Sequence, residues 1–242
     1  MKFILGFVLV LFYSSVFGQE VRDSIAVDDY QPVRAYFVEG AISVLAPQGN
    51  FNRQMDDVPI GLSFSALAQI SPGQPFFVGV ETYYAYVDDL SNTWFGFFDN
   101  GDPAEYQGTV TSNIIGVNAM YRYYLPVSIW KLEPYVEGAF GLKWLFTYES
   151  TTSFFDGFEE ASTGEFVTSD VSLTYGGAVG LQLLLGGRTY LNMKTSYLPG
   201  NSAAYEVRSA GVVPSTFPIE AFERKQSATD VVKFDLGITY VF

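Results

Sequence analysis

Seven charged residues stand inside stretches of the chain in which apolar and polar side chains otherwise alternate. Alternate residues of a strand point to opposite faces, so each of the seven falls on the polar face of its stretch. They are Glu39, Glu81, Arg122, Glu137, Lys143, Lys194 and Asp235. Four acids and three bases turned to one side can form ion pairs and hydrogen bonds. This pattern predicts either a packed polar interior or the lining of a narrow, gated ion path.

Acid–base catalysis is the other chemistry that these carboxylates could support. A pair such as Glu81 with Glu137 has the required residue type, but nothing in the sequence orients it or supplies a nucleophile. The chain has no His and no Cys, which removes the commonest general base, the thiolate nucleophiles and the commonest metal ligands. We therefore expect that the protein is not an enzyme and has no catalytic, cofactor-binding or metal-binding residue.

Eight segments with the period of a β-strand carry these charges. Most match the roughly 9–11 residues that a tilted strand needs to cross a bilayer. They are Arg34 to Leu45, Ile60 to Ile70, Phe76 to Val87, Thr109 to Leu125, Leu132 to Tyr148, Asp170 to Leu185, Thr189 to Tyr197 and Asp230 to Phe242. No stretch is apolar for the roughly 18 residues of a spanning helix.

The connections between the segments alternate in length. Residues 71–75, 126–131 and 186–188 are short, whereas residues 46–59, 88–108, 149–169 and 198–229 are long. This alternation predicts an all-β fold, an eight-stranded antiparallel up-and-down transmembrane β-barrel with short periplasmic turns and long extracellular loops. A soluble ligand-binding barrel is the third possibility, but it would require the charged residues to reverse faces.

Composition supports a lipid-facing exterior. Hydrophobic residues make up 48% of the chain and charged residues only 16%, and one lipid-facing Lys or Arg at the midplane costs about 2–4 kcal/mol. The net charge of -13 argues against a nucleic-acid partner, which requires a basic surface. The outward-facing rings form two predicted girdles, Tyr36, Phe76, Tyr121, Tyr123, Tyr240 and Phe242 at the periplasmic rim and Tyr84, Tyr86, Trp144, Phe146, Tyr148 and Tyr197 at the outer rim.

The N-terminus has the pattern of an export signal. Lys2 precedes an apolar run from Phe3 to Tyr13, and small residues follow up to Gly18; the run is too short for a spanning helix. We predict a signal peptide over residues 1–18 with cleavage near Gly18, a periplasmic lead over residues 19–33 and a barrel over residues 34–242.

Two of the long connections combine acids with exposed aromatic rings. Residues 88–108 and 149–169 contain no base, and their rings either pack as a cap over the barrel mouth or contact a partner. The acids keep these loops soluble or bind a divalent cation or a basic protein. The candidate surface contacts are Trp94, Phe97, Phe98, Asp99, Asp102, Phe154, Phe155 and Phe158.

The final strand carries the most specific resemblance to a known family. Phe234, Leu236, Ile238, Tyr240 and Phe242 alternate up to the last residue, and with the eight segments the chain resembles the small outer-membrane barrels of Gram-negative bacteria, the group of the OmpA membrane domain and OmpX. The resemblance implies that these five residues form the signal read by the barrel-assembly machinery, and that outer-membrane lipid and lipopolysaccharide surround the barrel. The Gly18–Gln19 junction resembles signal peptides of the Bacteroidetes.

The function expected from these observations is structural or interactive, with the long acidic, aromatic loops as the working surface. Eight strands enclose room only for side chains, so we expect a polar network, including Asn113, Asn118, Gln182 and Asn192, to plug the lumen. We further expect Lys143→Met to lower thermal stability without raising conductance. The alternatives are a small channel for ions or solutes and an accessory subunit of an envelope complex.

Overall fold

The computed structural model describes residues 35–55, 57–98, 101–127, 131–155, 158–209, 212 and 217–242. The predicted signal peptide, the periplasmic lead and Asp99 lie outside the described residues.

Eight long strands close into one antiparallel barrel. They are β1 (Tyr36–Pro47), β2 (Ile60–Gln69), β3 (Phe76–Phe97), β4 (Pro103–Tyr124), β5 (Leu132–Phe155), β6 (Phe158–Gly186), β7 (Thr189–Leu198) and β10 (Val231–Val241). The order around the barrel is β1, β10, β7, β6, β5, β4, β3, β2. Each strand therefore pairs with its sequence neighbour, and β1 with β10 closes the ring through register pairs such as Phe37 with Val241. The predicted eight-stranded up-and-down barrel is confirmed.

The two ends of the barrel differ in the length of their connections. The described residues of the short connections, 70–75, 125–127, 131 and 187–188, lie at the end that also holds Tyr36 and Phe242; we call it the short-turn end. The other end is the long-connection end. The strands β3, β4, β5 and β6 continue past the barrel there. Their outer neighbours end earlier, since β2 pairs with β3 only as far as Tyr86 and β7 pairs with β6 only from Gly177 onward.

The continued strands form what we call the protruding sheet. It comprises residues 88–97 of β3, 103–112 of β4, 147–155 of β5 and 158–170 of β6, paired in that order. Most of the predicted loops 88–108 and 149–169 are therefore strand. A register shift between Tyr86 and Asp88 marks where β3 leaves the barrel, since a bulge re-aims the strand that contains it.

Smaller elements occupy two of the long connections. Helix α1 (Gly49–Gln54) follows β1, and a hairpin of β8 (Ser202–Arg208) and β9 (Phe222–Ala228) lies between β7 and β10. A short 3-10 helix, Pro218–Ala221, precedes β9. None of these elements has the long alternation of the barrel strands, and the sequence did not predict them.

The outward face of the barrel is apolar over its height. Ile42 is 60% exposed, and Val80, Phe140, Val179 and Leu236 are similarly open. The predicted girdle rings share this face, and several touch one another, including Phe76 with Tyr121 at 5.9 Å and Trp144 with Phe146 at 4.6 Å between ring centroids. No helix in the described ranges has the length and apolarity needed to cross a membrane.

Candidate functional site

All seven predicted charged residues lie inside the barrel. Arg122 and Lys143 are fully buried, and the other five are no more than 7% exposed. An eighth charge, Lys233, joins them and is also fully buried. It shares the inward face of β10 with Asp235, and the predicted set of seven did not include it. Four acids and four bases thus balance on the inward faces of the barrel strands; the buried Glu206 belongs to β8.

Arg122 organises the cluster nearest the short-turn end. Its Nη1 and Nη2 atoms donate to the two Glu39 carboxylate oxygens at 2.5 and 2.8 Å, and its Nε donates to Glu137 Oε2 at 2.9 Å. The Tyr135 ring lies 4.2 Å from the guanidinium carbon. Gln182 Nε2 donates to Glu39 Oε1 at 3.1 Å. Lys could not replace Arg122 here, because only a planar guanidinium can bind two carboxylates and stack on a ring at the same time.

A second cluster lies farther along the lumen around two lysines. Lys194 contacts Glu81, and its Nζ also lies 3.3 Å from Glu137 Oε1 and 3.6 Å from Asp235 Oδ2. Lys233 Nζ lies 2.5 Å from Glu81 Oε1 and 3.2 Å from Asp235 Oδ2. Because Glu137 touches both Arg122 and Lys194, the two clusters form one continuous network.

Glu81 and Glu137, the carboxylate pair considered above for acid–base catalysis, are both held in ion pairs. Glu81 and Glu137 both contact Lys194, and each has a further cationic partner, Lys233 and Arg122 respectively. Buried ion pairs gain little net stability over apolar packing, but removing one partner leaves a buried charge unmatched. The network thus joins strands that are not neighbours in the barrel, such as β1 and β4 through Glu39 and Arg122.

Lys143 stands apart from the network. Its Nζ donates to the backbone carbonyl of Thr229, which lies between β9 and β10. No carboxylate in the described ranges lies within 4 Å of this amine. Lys143 therefore ties the base of the β8–β9 hairpin to the barrel wall through a hydrogen bond to a neutral group.

An apolar layer closes the lumen at the short-turn end. Phe37 and Phe77 stack at 4.5 Å between ring centroids, and the Tyr124 ring meets both edge to face. Leu67 and Met120 complete the buried group. The rings leave the ionic network without a direct opening to solvent on this side.

A larger apolar cluster fills the opposite mouth of the barrel. Inward-facing barrel residues pack there against α1 and β8. The cluster consists of Leu45, Phe51, Met55, Tyr83, Ala85, Val87, Ile114, Leu145, Leu198, Ala203, Tyr205, Val207 and Val231. The Tyr205 hydroxyl hydrogen-bonds Gln54 Oε1 at 2.6 Å and Ser227 Oγ at 2.8 Å, which joins helix and hairpin. The gap beside Met55, Val87 and Tyr205 measures about 10 Å³, about one water molecule.

Three buried side chains near mid-lumen carry polar atoms with no hydrogen-bond partner among the described residues. They are the Tyr83 hydroxyl, both amide atoms of Asn118, and Asp235 Oδ2, which still lies within ion-pair distance of Lys194 and Lys233. Asn118 lies directly opposite Glu81, and Tyr83 directly opposite Gly116. Unsatisfied buried groups of this kind reduce stability by about 1–3 kcal/mol each. Asn118, Gln182 and Asn192 are all buried in the interior.

The prediction for Asn113 is wrong. Its Oδ1 accepts a hydrogen bond from the hydroxyl of Tyr84, which lies on the outward face of β3. In β4 the inward residues have even numbers, as Asn118 and Arg122 do, so Asn113 belongs to the opposite face.

The predicted surface rings divide into packed and exposed groups. Trp94 stacks on Tyr106 and meets Phe217 edge to face at 5.3 Å, beside the 3-10 helix. Phe98 contacts Phe155 at 6.2 Å. The remaining predicted contacts lie near the tip of the protruding sheet, where Phe97 and Phe158 are exposed, Asp102 is exposed and Phe154 is half-buried. The mouth of the barrel is filled by α1 and β8, so these rings are not its cap.

Two acids of the protruding sheet have perturbed ionisation. Partial burial, followed by the Glu165 carboxylate directly opposite, raises the pKa of Glu149. Partial burial also raises the pKa of Asp88. The nearby Asp57 carboxylate raises this pKa further, whereas Arg208 lowers it. Both shifts disfavour the carboxylate form. In the described ranges no group of three or more His, Cys, Asp or Glu side chains is arranged to hold a metal ion.

The five residues of the terminal pattern all point outward from the last barrel strand. Their exposed fractions run from 36% for Tyr240 to 60% for Phe242. Tyr240 and Phe242 touch at 4.9 Å between ring centroids. They lie at the short-turn end, next to the seam between β10 and β1.

Comparison with known proteins finds only distant similarity to solved structures. The chain resembles the attachment invasion locus protein Ail of Yersinia pestis (13% identity, TM-score 0.37, covering 86% of this chain and 97% of that one). It also resembles Neisserial surface protein A (11%, 0.42, 86% and 97%) and the outer membrane protein OprG of Pseudomonas aeruginosa (13%, 0.42, 86% and 95%). No protein-family model and no curated protein sequence matches the chain. The fold assignment rests on the strand pairing described above.

Proposed function

We propose that the chain is an integral outer-membrane β-barrel that conducts neither ions nor solutes and presents its protruding sheet to binding partners. The observation that carries this proposal is that the lumen is filled along the barrel axis while a separate sheet extends beyond it. Side chains fill the lumen in three layers, apolar, ionic and apolar, while four strands extend beyond it as a sheet that the barrel itself does not need for closure.

The exterior supports the membrane location. A face that is apolar over the height of the barrel, with rings near both ends, matches the surface that a bilayer solvates. All eight interior charges are buried on the other side of the same strands. The signal-like N-terminus supports export, and the outward-facing terminal residues suit recognition by the barrel-assembly machinery. Lipid and lipopolysaccharide would contact the girdles. Origin in the Bacteroidetes stays a prediction.

Cysteine labelling tests location and orientation directly, because the chain has no Cys. Gln107 lies on the protruding sheet and Gln74 in a short connection, and both are exposed. We expect a membrane-impermeant maleimide to label Gln107→Cys on intact cells and to label Gln74→Cys only after the outer membrane is opened. Equal labelling of both on intact cells would contradict the proposed orientation.

Conductance measurements test the filled lumen. In planar bilayers containing the purified protein, we expect current no greater than that of the lipid alone. Stable unitary conductance would overturn the proposal in favour of the small-channel alternative. Purification in mild detergent tests a further role as an accessory subunit of an envelope complex, which requires stoichiometric partners.

A further inference from the structure

The outward face of the protruding sheet ends in a row of alternating rings and carboxylates. Phe95 of β3 lies directly opposite Glu105 of β4, Glu105 opposite Phe154 of β5, and Phe154 opposite Glu159 of β6. Directly opposite residues of paired strands share a face, so the four side chains form one row across four strands. Phe97, two residues after Phe95, shares that face. We call these five residues the tip face.

The tip face is open to solvent. Phe95 is 81% exposed and Phe97 is 73% exposed; both carboxylates are exposed as well. Within the described part of the chain, neither Glu105 nor Glu159 has a hydrogen-bond or ion-pair partner. Phe154 is half-buried. Contiguous exposed apolar patches of this kind mark interaction sites.

Charge selects the kind of ligand. The sequence has no Lys or Arg from residue 88 to residue 121 or from residue 144 to residue 187, so the protruding sheet repels anions and attracts cations. A cation over an aromatic face gains about 0.5–1 kcal/mol at an exposed site. A guanidinium group suits both partners, since it stacks on rings and pairs bidentately with carboxylates.

The spacing of the carboxylates adds a geometric requirement. Glu105 and Glu159 are two strands apart, which is about 9.4–9.8 Å. A polyproline II segment repeats every three residues with a rise of about 3.1 Å each, so side chains three residues apart are about 9.3 Å apart on the same side. An extended strand instead turns residues three apart to opposite faces.

We propose that the tip face binds a polyproline II segment of another protein through Arg side chains three residues apart, each seated between a Phe ring and a Glu carboxylate. The segment lies across the four strands, parallel to the row. This inference rests on the proposed function only in that the tip face must be turned away from the cell.

Binding of a defined peptide to the full chain in lipid nanodiscs tests the proposal. The probe is a capped, fluorescein-labelled peptide of three Arg-Pro-Pro repeats, followed by fluorescence anisotropy. We expect saturable binding that weakens at high salt and is at least tenfold weaker for a peptide with Gln in place of Arg. Glu105→Gln and Phe95→Ala should each weaken binding at least fivefold.

Matched variants separate the tip face from net charge and from misfolding. Glu165→Gln removes one acid from the opposite face of the same sheet and should change the affinity less than twofold. Gln107→Ala alters the tip-face side of β4 two residues from Glu105 and should also have no effect. Circular dichroism melting curves should coincide for all variants.

Three results would overturn the inference. One is no saturable binding of the Arg peptide, and another is an equal loss for Glu105→Gln and Glu165→Gln, which would indicate diffuse attraction. The third is tight, salt-independent binding of a neutral oligosaccharide in place of the peptide, which would make the tip face a sugar site. Absence of peptide binding would not affect the proposal of a non-conducting barrel. Measurable conductance would overturn that proposal without affecting the peptide result.

Discussion

Tyr135 and Gly180 face each other across the β5–β6 pair, and a Cβ atom at Gly180 would come within 2.1 Å of the Tyr135 ring. The ring lies flat over the glycine, and this position brings it under the Arg122 guanidinium at 4.2 Å. Tyr83 and Gly116 repeat the arrangement on β3 and β4, where the corresponding distance is 2.0 Å. Cross-strand glycines thus make the room in which two buried tyrosines lie beside the ionic network.

Gly180→Ala should therefore destabilise the barrel by displacing Tyr135. Overpacking of a filled interior costs about 1–3 kcal/mol, and the ring would also lose its contact with Arg122. Thermal unfolding in detergent, followed by circular dichroism, measures the change. Gly138→Ala is the matched control, since no atom lies within 4 Å of a Cβ there; it should be neutral or slightly stabilising. Equal stability of the two variants would contradict the packing argument.

Arg122→Met and Lys143→Met should differ strongly although both remove a buried cation. Loss of Arg122 leaves Glu39 without its cationic partner and Glu137 with only Lys194, at a cost of about 3–5 kcal/mol. Loss of Lys143 leaves only a backbone carbonyl unpaired, a smaller change of about 1–3 kcal/mol. The sequence predicted that Lys143→Met lowers stability, and the structure predicts that this loss is smaller than the loss for Arg122→Met.

Chemical denaturation of the two variants, with conductance recorded in parallel, checks this difference. Neither variant should conduct, because both apolar layers remain. A Lys143→Met variant as unstable as Arg122→Met would show that the amine has an anionic partner that the hydrogen bond to Thr229 does not represent.

The barrel was predictable because one physical constraint acts on every residue of its strands. A charge such as Arg122 or Glu137 has only one acceptable face in lipid, so parity within a segment assigns the whole strand. Failure of the prediction at Asn113 follows from the same reasoning, since an uncharged amide is tolerated outside when Tyr84 satisfies it. Pairings such as that of Lys194 with Glu81, 113 residues away, require the register of several strands and could not be obtained from parity alone.

The protruding sheet and the hairpin at the barrel mouth were harder to predict. Outside the bilayer both faces of a strand meet water or protein, so the alternation that identified the barrel segments weakens beyond Tyr86 and Tyr148. The β8 segment Ser202–Arg208 buries consecutive residues from Ala203 to Val207, because hairpin and barrel cover both of its faces. Period-two reasoning has no signal for such a strand.

Asn118→Leu should raise the stability of the barrel. The Asn118 amide is buried with no described hydrogen-bond partner for either polar atom, and replacing an unsatisfied polar group with an apolar group of similar shape removes its desolvation penalty of about 1–3 kcal/mol. A higher unfolding temperature than that of the unaltered chain is the expected result. Gln182→Leu is the contrast, because it breaks hydrogen bonds to Glu39 and Thr239; it should lower the unfolding temperature.

Glu149→Gln should stabilise the protein near neutral pH and have no effect in acid. Burial and Glu165 raise the pKa of Glu149 above its ordinary value of 4.5, so the folded state holds this proton more tightly than the unfolded state and stability falls as pH rises through the folded pKa. The substitution removes that penalty. The gain should be small, since the side chain is largely solvated.

Urea unfolding in detergent at a series of pH values measures this effect. The advantage of Glu149→Gln should be complete above the raised pKa, shrink as pH falls toward 4.5 and vanish below it, where the carboxyl is protonated in both states. Glu105→Gln on the tip face removes an exposed carboxylate without described partners and should leave the curve unchanged. An advantage for Glu149→Gln that persists at low pH would exclude repulsion between Glu149 and Glu165 as its cause.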